Sequence, residues 1–209
     1  MTNSIQTLSA MAVTTAAGEE QKLIDALGSA DASRKEKSDA CRELGRMGSP
    51  AAIKPLAALL EDEEMSHMAR YGLEPNPSLA VDSEFRTALG KLKGKLLAGV
   101  CGSIGIRKDK KAIDLLGEIA SSSDAVAAAA AARALGNIGT ENCVRVLKAA
   151  LSKATGNVRL AVFEGLLRCA EALVEAGKTD DAKEIYESIG LMNPPRQISI
   201  AAALALDSI

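Results

Sequence analysis

A nine-residue pattern occurs twice in this chain, at Ala40–Gly48 and at Ala131–Gly139, with Ala, Arg, Leu, Gly and Gly in the same slots. Ala98–Gly105 reads as a third copy with Cys101 in the Leu slot, and weaker copies surround Leu73, Leu167 and Leu204. The anchor positions 44, 73, 101, 135, 167 and 204 lie 28 to 37 residues apart. A unit of that length is one supersecondary element, and it cannot bury its apolar side without a neighbour of the same kind. The spacing therefore predicts an all-α solenoid of about six antiparallel helix hairpins stacked in a right-handed superhelix, with no strands.

Composition points the same way. Apolar residues make up 47% of the chain but aromatics only 2%, and a core of small aliphatic side chains suits close-packed helices. The run Ala127–Ala132 is built from the best helix former and a poor strand former. Ser49-Pro50 and Asn193-Pro194 read as helix starts, with Pro at the first helical position. Gly28, Gly48, Gly105, Gly139 and Gly177 fall where helices should stop. Pro75 and Pro77 force one irregular segment after Glu74. Residues 1–18 read as a disordered leader and 19–209 as a single repeat domain. The last helix, Ile198–Leu206, is very apolar, with nothing after it to cover it, so the chain reads as either whole or a fragment.

Several functions are disfavoured. The formal net charge is −2, whereas proteins that grip phosphate backbones carry a basic excess, so nucleic acid is not the expected partner. Cys41, Cys101, Cys143 and Cys169 form no CxxC pair and there is one His, which argues against a zinc site and for reduced, buried thiols. No apolar run reaches the ~18–20 residues of a membrane span, and the first residues lack a signal-peptide pattern, so a cytoplasmic protein is expected. Gly94-Lys95 lacks the glycine and the hydroxyl residue of a phosphate loop. Gly99, Gly102 and Gly105 have the spacing of close helix contacts, not of a dinucleotide site. The acidic run 61–64 lacks calcium-loop spacing. No cofactor or metal is expected.

Two groups of side chains stand out as candidates. His67, Arg70, Tyr71 and Glu74 lie at i, i+3, i+4 and i+7, on one face of a helix. They read either as a partner-binding hot spot with Arg and Tyr anchors or as an internal network pairing Arg70 with Glu74. No nucleophile accompanies His67, so no catalytic residue is assigned. The second group comprises Lys91, Lys93 and Lys95 with Arg107, Lys108, Lys110 and Lys111. These flank one helix and read as solvated ends or as candidate anion-binding positions. Arg42, Arg133, Arg159 and Arg196 recur at related positions and suggest a ladder of pairs with carboxylates of the next repeat.

The pattern A-x-R-x-L-G-x-[IM]-G, followed by an apolar second helix such as Ala51–Leu56, resembles the HEAT-like repeat shared with phycobilisome-lyase subunits and bacterial scaffold proteins. Ser66–Pro75 and Gly90–Gly94 are similar to segments of a bacterial HEAT-repeat family. Leu166–Tyr186 with Pro194 resembles a tetratricopeptide hairpin. The resemblance implies a curved stack whose inner row of helices forms a concave surface. The expected function is a non-enzymatic scaffold binding a protein or peptide there, through second helices of the hairpins and the His67–Glu74 face. The alternatives are a helper for chromophore-bearing proteins, and anion or nucleic-acid binding through the lysines.

Overall fold

The computed structural model describes residues 17–209, and within them the chain forms twelve α-helices and no strand. Helix α1 spans 17–28. It is followed by α2 (Arg34–Met47), α3 (Ile53–Ala58), α4 (Ser66–Leu73), α5 (Leu79–Leu89), α6 (Gly94–Arg107) and α7 (Ile113–Ala120). Then come α8 (Ala125–Ile138), α9 (Glu141–Leu151), α10 (Gly156–Glu175), α11 (Thr179–Leu191) and α12 (Arg196–Asp207). The all-helical repeat architecture expected from the spacing is the one observed: five complete hairpins, α2–α3 to α10–α11, preceded by α1 and followed by α12. Most of the expected leader lies outside the described residues, and residues 17 and 18 already belong to α1. The chain divides into two compact units, the first ending at Glu84 and the second running from Phe85 to Ile209.

In the first unit, α2 opens with a capping box. Ser33 Oγ accepts from the Glu36 N–H, and the Glu36 carboxylate accepts from the Ser33 N–H at 2.7 Å, which satisfies two amides that have no partner inside the helix. The helix stops at Gly48, whose φ of 65° is the left-handed conformation expected of a terminal glycine. Ser49 then caps the 3₁₀ turn Pro50–Ala52, which runs directly into α3. Helix α4 stacks on α2 so closely that a Cβ on Gly45 would lie 2.8 Å from Gly72 Cα, and one on Gly72 would lie 2.6 Å from the Cys41 carbonyl oxygen. Between α4 and α5 the two prolines produce the expected irregular segment. Asn76 is buried in it, donating to the Ser49 carbonyl at 3.1 Å and accepting from the Ser78 N–H at 3.0 Å.

The second unit repeats this device three helices deep, with α8 lying between α6 and α10. A Cβ on Gly105 would sit 2.8 Å from Ala134 Cα, one on Gly136 2.7 Å from Gly165 Cα, and one on Gly165 2.7 Å from the Ala132 carbonyl oxygen. Backbones at this distance leave room only for Gly and Ala, which is why α8 carries its alanine run. Ala127, Ala128, Ala131 and Ala132 are wholly buried, as expected for a helix packed on both flanks. Helices α7, α9 and α11 cover this row, with Leu116, Leu147 and Ile189 fully buried beneath them.

The contacts correct the register of the third copy. Gly105 meets the following helix as Gly136 does, and Lys108, at φ 54°, holds the left-handed cap that Gly139 holds in α8. Ile104, not Cys101, thus occupies the Leu slot. Gly105 is no stop, since α6 continues to Arg107. By the same geometry Leu166, which is fully buried, replaces Leu167 as the anchor in α10, because Gly165 contacts Ala132 and Leu147 as Gly72 contacts Cys41 and Leu56. The last helix starts after Pro195 and not at Pro194, with Asn193 at φ 51° ahead of it.

All four cysteines are free and buried. Burial pushes the Cys41 thiol up to about 11 and that of Cys101 up to about 12. Cys143 and Cys169 lie together. The Cys169 thiol draws Cys143 downward against burial, while Cys169 itself is driven up by Cys143 and by burial. We expect a thiol reagent such as Ellman's to modify the folded chain at least about a thousandfold more slowly than the guanidinium-unfolded chain, the factor imposed by a ~4 kcal/mol opening. One rapidly reacting thiol in the native protein would refute their placement in the core.

Candidate functional site

Helix α4 carries His67, Arg70, Tyr71 and Glu74 where the spacing puts them. Ala69, Gly72 and Leu73 take the packed side, which leaves His67 exposed, Tyr71 at 53% exposure, and Arg70 and Glu74 half-buried. Arg70 Nη2 lies 3.5 Å from His67 Nδ1. Burial lowers the Arg70 guanidinium from its ordinary value, and the Glu74 carboxylate offsets part of that. The Arg70 Nε is buried without a hydrogen-bond partner. The face therefore holds a partly desolvated cation beside an open aromatic ring, the combination that anchors protein interfaces. One expectation fails here. Stacking against α2 makes α4 the first helix of its hairpin, so this face does not belong to the row of second helices.

The lysine-rich group is divided by α6. Lys91, Lys93 and Lys95 sit at the start of α6 and Arg107, Lys108, Lys110 and Lys111 at and after its end, about 20 Å apart at 1.5 Å per residue. They do not form one anion patch. Lys108 and Lys110 instead line a groove of about 880 Å³ in the second unit. The groove crosses the ends of α6, α8 and α10 and the start of α9. Ile113, Ile138 and Leu173 form its apolar floor, while Lys108, Lys110 and Glu175 stand at its rim. Lys178 and Glu141 close one side as an ion pair, and Glu141 holds the Lys178 ammonium above its ordinary value. Linear sequence gives no local signal for this groove, because its walls come from residues 108 to 178.

The arginine ladder forms in part. Arg133 Nε reaches Glu164 on α10 at 3.0 Å. Arg42 pairs with Asp39 on its own helix at 2.9 Å, because Tyr71 stands one residue before Gly72 where Glu164 stands one residue before Gly165. Arg159 donates to the Met192 carbonyl at 2.8 Å and lies over the Phe163 ring. Arg196 has no carboxylate partner among the described residues. No group of His, Cys, Asp and Glu among the described residues could hold a metal ion, and none of their helices is long and apolar enough to cross a membrane.

Residues 85–168 match the family model described as HEAT repeats. Among solved structures the chain is similar to a designed armadillo repeat protein, YIII(Dq.V1)4CPAF, in complex with the peptide (KR)4. That likeness has 16% identity and a TM-score of 0.54, covering 89% of this chain and 97% of the other. It is also similar to two engineered proteins, each 18% identical. One covers 90% of this chain and 95% of its own with a TM-score of 0.47; the other covers 90% and 97% with 0.46. No curated protein matches the chain in sequence.

Proposed function

Because the chain is a HEAT-like repeat protein, we propose that it is a non-catalytic interaction scaffold that seats a protein or peptide segment in the groove across α6, α8 and α10. One observation carries this reading: the groove spans three successive first helices, with an apolar floor and a rim of both charge signs. A floor of Ile113, Ile138 and Leu173 offers burial to aliphatic side chains. Lys108 and Lys110 opposite Glu175 offer hydrogen bonds to groups of either sign, which suits a polypeptide better than a lone anion. The designed repeat protein of similar fold was solved with a peptide, which supports a peptide-sized occupant and says nothing of its sequence. A second contact surface is proposed on α4, where His67, Arg70, Tyr71 and Glu74 combine an open ring with a half-buried guanidinium.

A randomised displayed-peptide library, selected on the immobilised protein, tests both surfaces. Enriched peptides are expected to bind with dissociation constants in the micromolar range, about −8 kcal/mol. The triple variant Lys108→Glu, Lys110→Glu, Glu175→Lys should weaken them at least about tenfold, by ~1.4 kcal/mol. Replacing His67, Arg70, Tyr71 and Glu74 together by Ala should leave groove-bound peptides in place and release those held on α4. Failure of the library to enrich, or enriched peptides indifferent to both variants, would remove the proposal.

A further inference from the structure

Helix α12 is apolar around most of its circumference. Ile198 and Ala202 are buried on the side packed against α10 and α11. The opposite side is open: Ile200 is 49% and Leu204 65% exposed, and Ala203 is exposed beside them. Arg196 and Asp207 close the two ends of this stripe, both exposed. At 100° per residue the five side chains span an arc of about 100°, facing away from Ile198 and Ala202.

The two charges are reversed for the helix that bears them. A cation in the first turn and an anion in the last oppose the macrodipole, whose N-terminal end is positive. Neither Arg196 nor Asp207 has an ion pair or hydrogen bond among the described residues. An antiparallel neighbour of the same sequence removes both penalties. Arg196 and Asp207 straddle the midpoint between Ala201 and Ala202, and so do Ile200 and Ala203. A two-fold axis at that midpoint puts each Arg196 beside the Asp207 and the negative helix end of the other copy. It also sets each Ile200 onto the small Ala203 opposite, with Leu204 alongside. Self-pairing requires the charged pair and the Ile200–Ala203 pair to share one midpoint, as they do, whereas a helix of some other protein imposes no such coincidence.

We propose that α12 pairs antiparallel with α12 of a second copy of this chain, through Arg196, Ile200, Ala203, Leu204 and Asp207. A single pair of short helices falls below the ~800 Å² per partner of a standard interface. The dimer therefore dissociates in the micromolar range, between about 1 μM and 1 mM.

Sedimentation equilibrium of the whole 209-residue chain across about 1 μM to 1 mM should show the mass rising from one copy toward two. Leu204→Lys should weaken association at least about tenfold, and Arg196→Asp or Asp207→Arg alone about tenfold, since each reversal places like charges together twice per dimer. All three sites are exposed, so none of the variants should lower the melting temperature of the single copy. Leu204→Lys should leave it in place, and either charge reversal should raise it slightly by relieving a macrodipole penalty. The double reversal R196D/D207R should bring association back to within about threefold of the original chain. A single-copy mass throughout that range would overturn the proposal and leave the stripe to a different occupant. So would a dimer insensitive to Leu204→Lys, or a double reversal that stays monomeric.

Discussion

Replacing Gly165 by Val should lower the thermal midpoint of the chain by about 10 °C, a loss of roughly 4 kcal/mol at 2–4 °C per kcal/mol. The reason lies in what the first added carbon meets. A Cβ there would stand 2.7 Å from the Ala132 carbonyl oxygen, with Leu147 Cδ1 3.1 Å away on the other side. The Ala132 oxygen belongs to the backbone of α8 and cannot rotate aside, so α8 and α10 must separate. Separation forfeits dispersion along the whole contact, beyond the usual 1–3 kcal/mol of an overpacked core. Gly136→Val acts on the same contact from the other helix, 2.7 Å from Gly165 Cα, and the two losses should combine to less than their sum. Gly102 supplies the control. It lies inside α6, and a Cβ added there would have nothing within 4 Å, so Gly102→Ala should stabilise by about 0.5–1 kcal/mol through reduced backbone entropy. Thermal unfolding followed by circular dichroism distinguishes these signs. Equal tolerance at positions 165 and 102 would mean that the helices are not stacked backbone to backbone.

These contacts also explain how much of the fold is legible in the sequence. The repeat is legible because close packing demands glycine or alanine once per first helix, and that demand surfaces as Leu44-Gly45, Leu135-Gly136 and the alanine run of α8. Its phase in α6 is not, because Gly99, Gly102 and Gly105 recur every three residues and any of them satisfies a pattern of small residues. The decisive signal is the left-handed turn three residues past the contact. In α6 that turn is taken by Lys108, a residue with no propensity to announce it. At Leu166-Leu167 two identical side chains stand next to each other, and only the neighbour across the helix interface separates buried from half-buried. The α4 face follows from i, i+4 arithmetic alone. The groove does not, since Lys108, Thr140 and Leu173 become neighbours only when three hairpins stack. Lys108 stands out in the sequence for its charge, and its structural role is a helix cap.

Removing the Asp109 carboxylate is expected to cost the second unit about 3–4 kcal/mol. Asp109 is 6% exposed at its side chain and pairs with Arg86, itself 21% exposed. The same carboxylate accepts from the Lys111 N–H at 3.0 Å, capping the 3₁₀ turn that leads into α7, while its own N–H bonds the Ile104 carbonyl at 3.3 Å. Asp109 thus ties α5 to the start of α7 through its side chain and both to the end of α6 through its backbone. Breaking a buried pair from one side typically costs 3–5 kcal/mol, because the surviving charge is left in a poor solvent. Arg86 retains solvent contact and a further interaction of its own, which moves the expectation to the lower end, and the lost cap adds about 1 kcal/mol. Asp109→Asn keeps a capping oxygen and should lose about 1 kcal/mol less than Asp109→Ala. The exposed pair Arg133–Glu164, at 44% and 36% exposure, provides the contrast, and Glu164→Gln there should cost under about 1 kcal/mol. Urea unfolding of the three variants gives the ranking directly. Were Asp109→Ala no worse than Glu164→Gln, the pair would have to be solvated and the junction of α5, α6 and α7 held by apolar contacts alone.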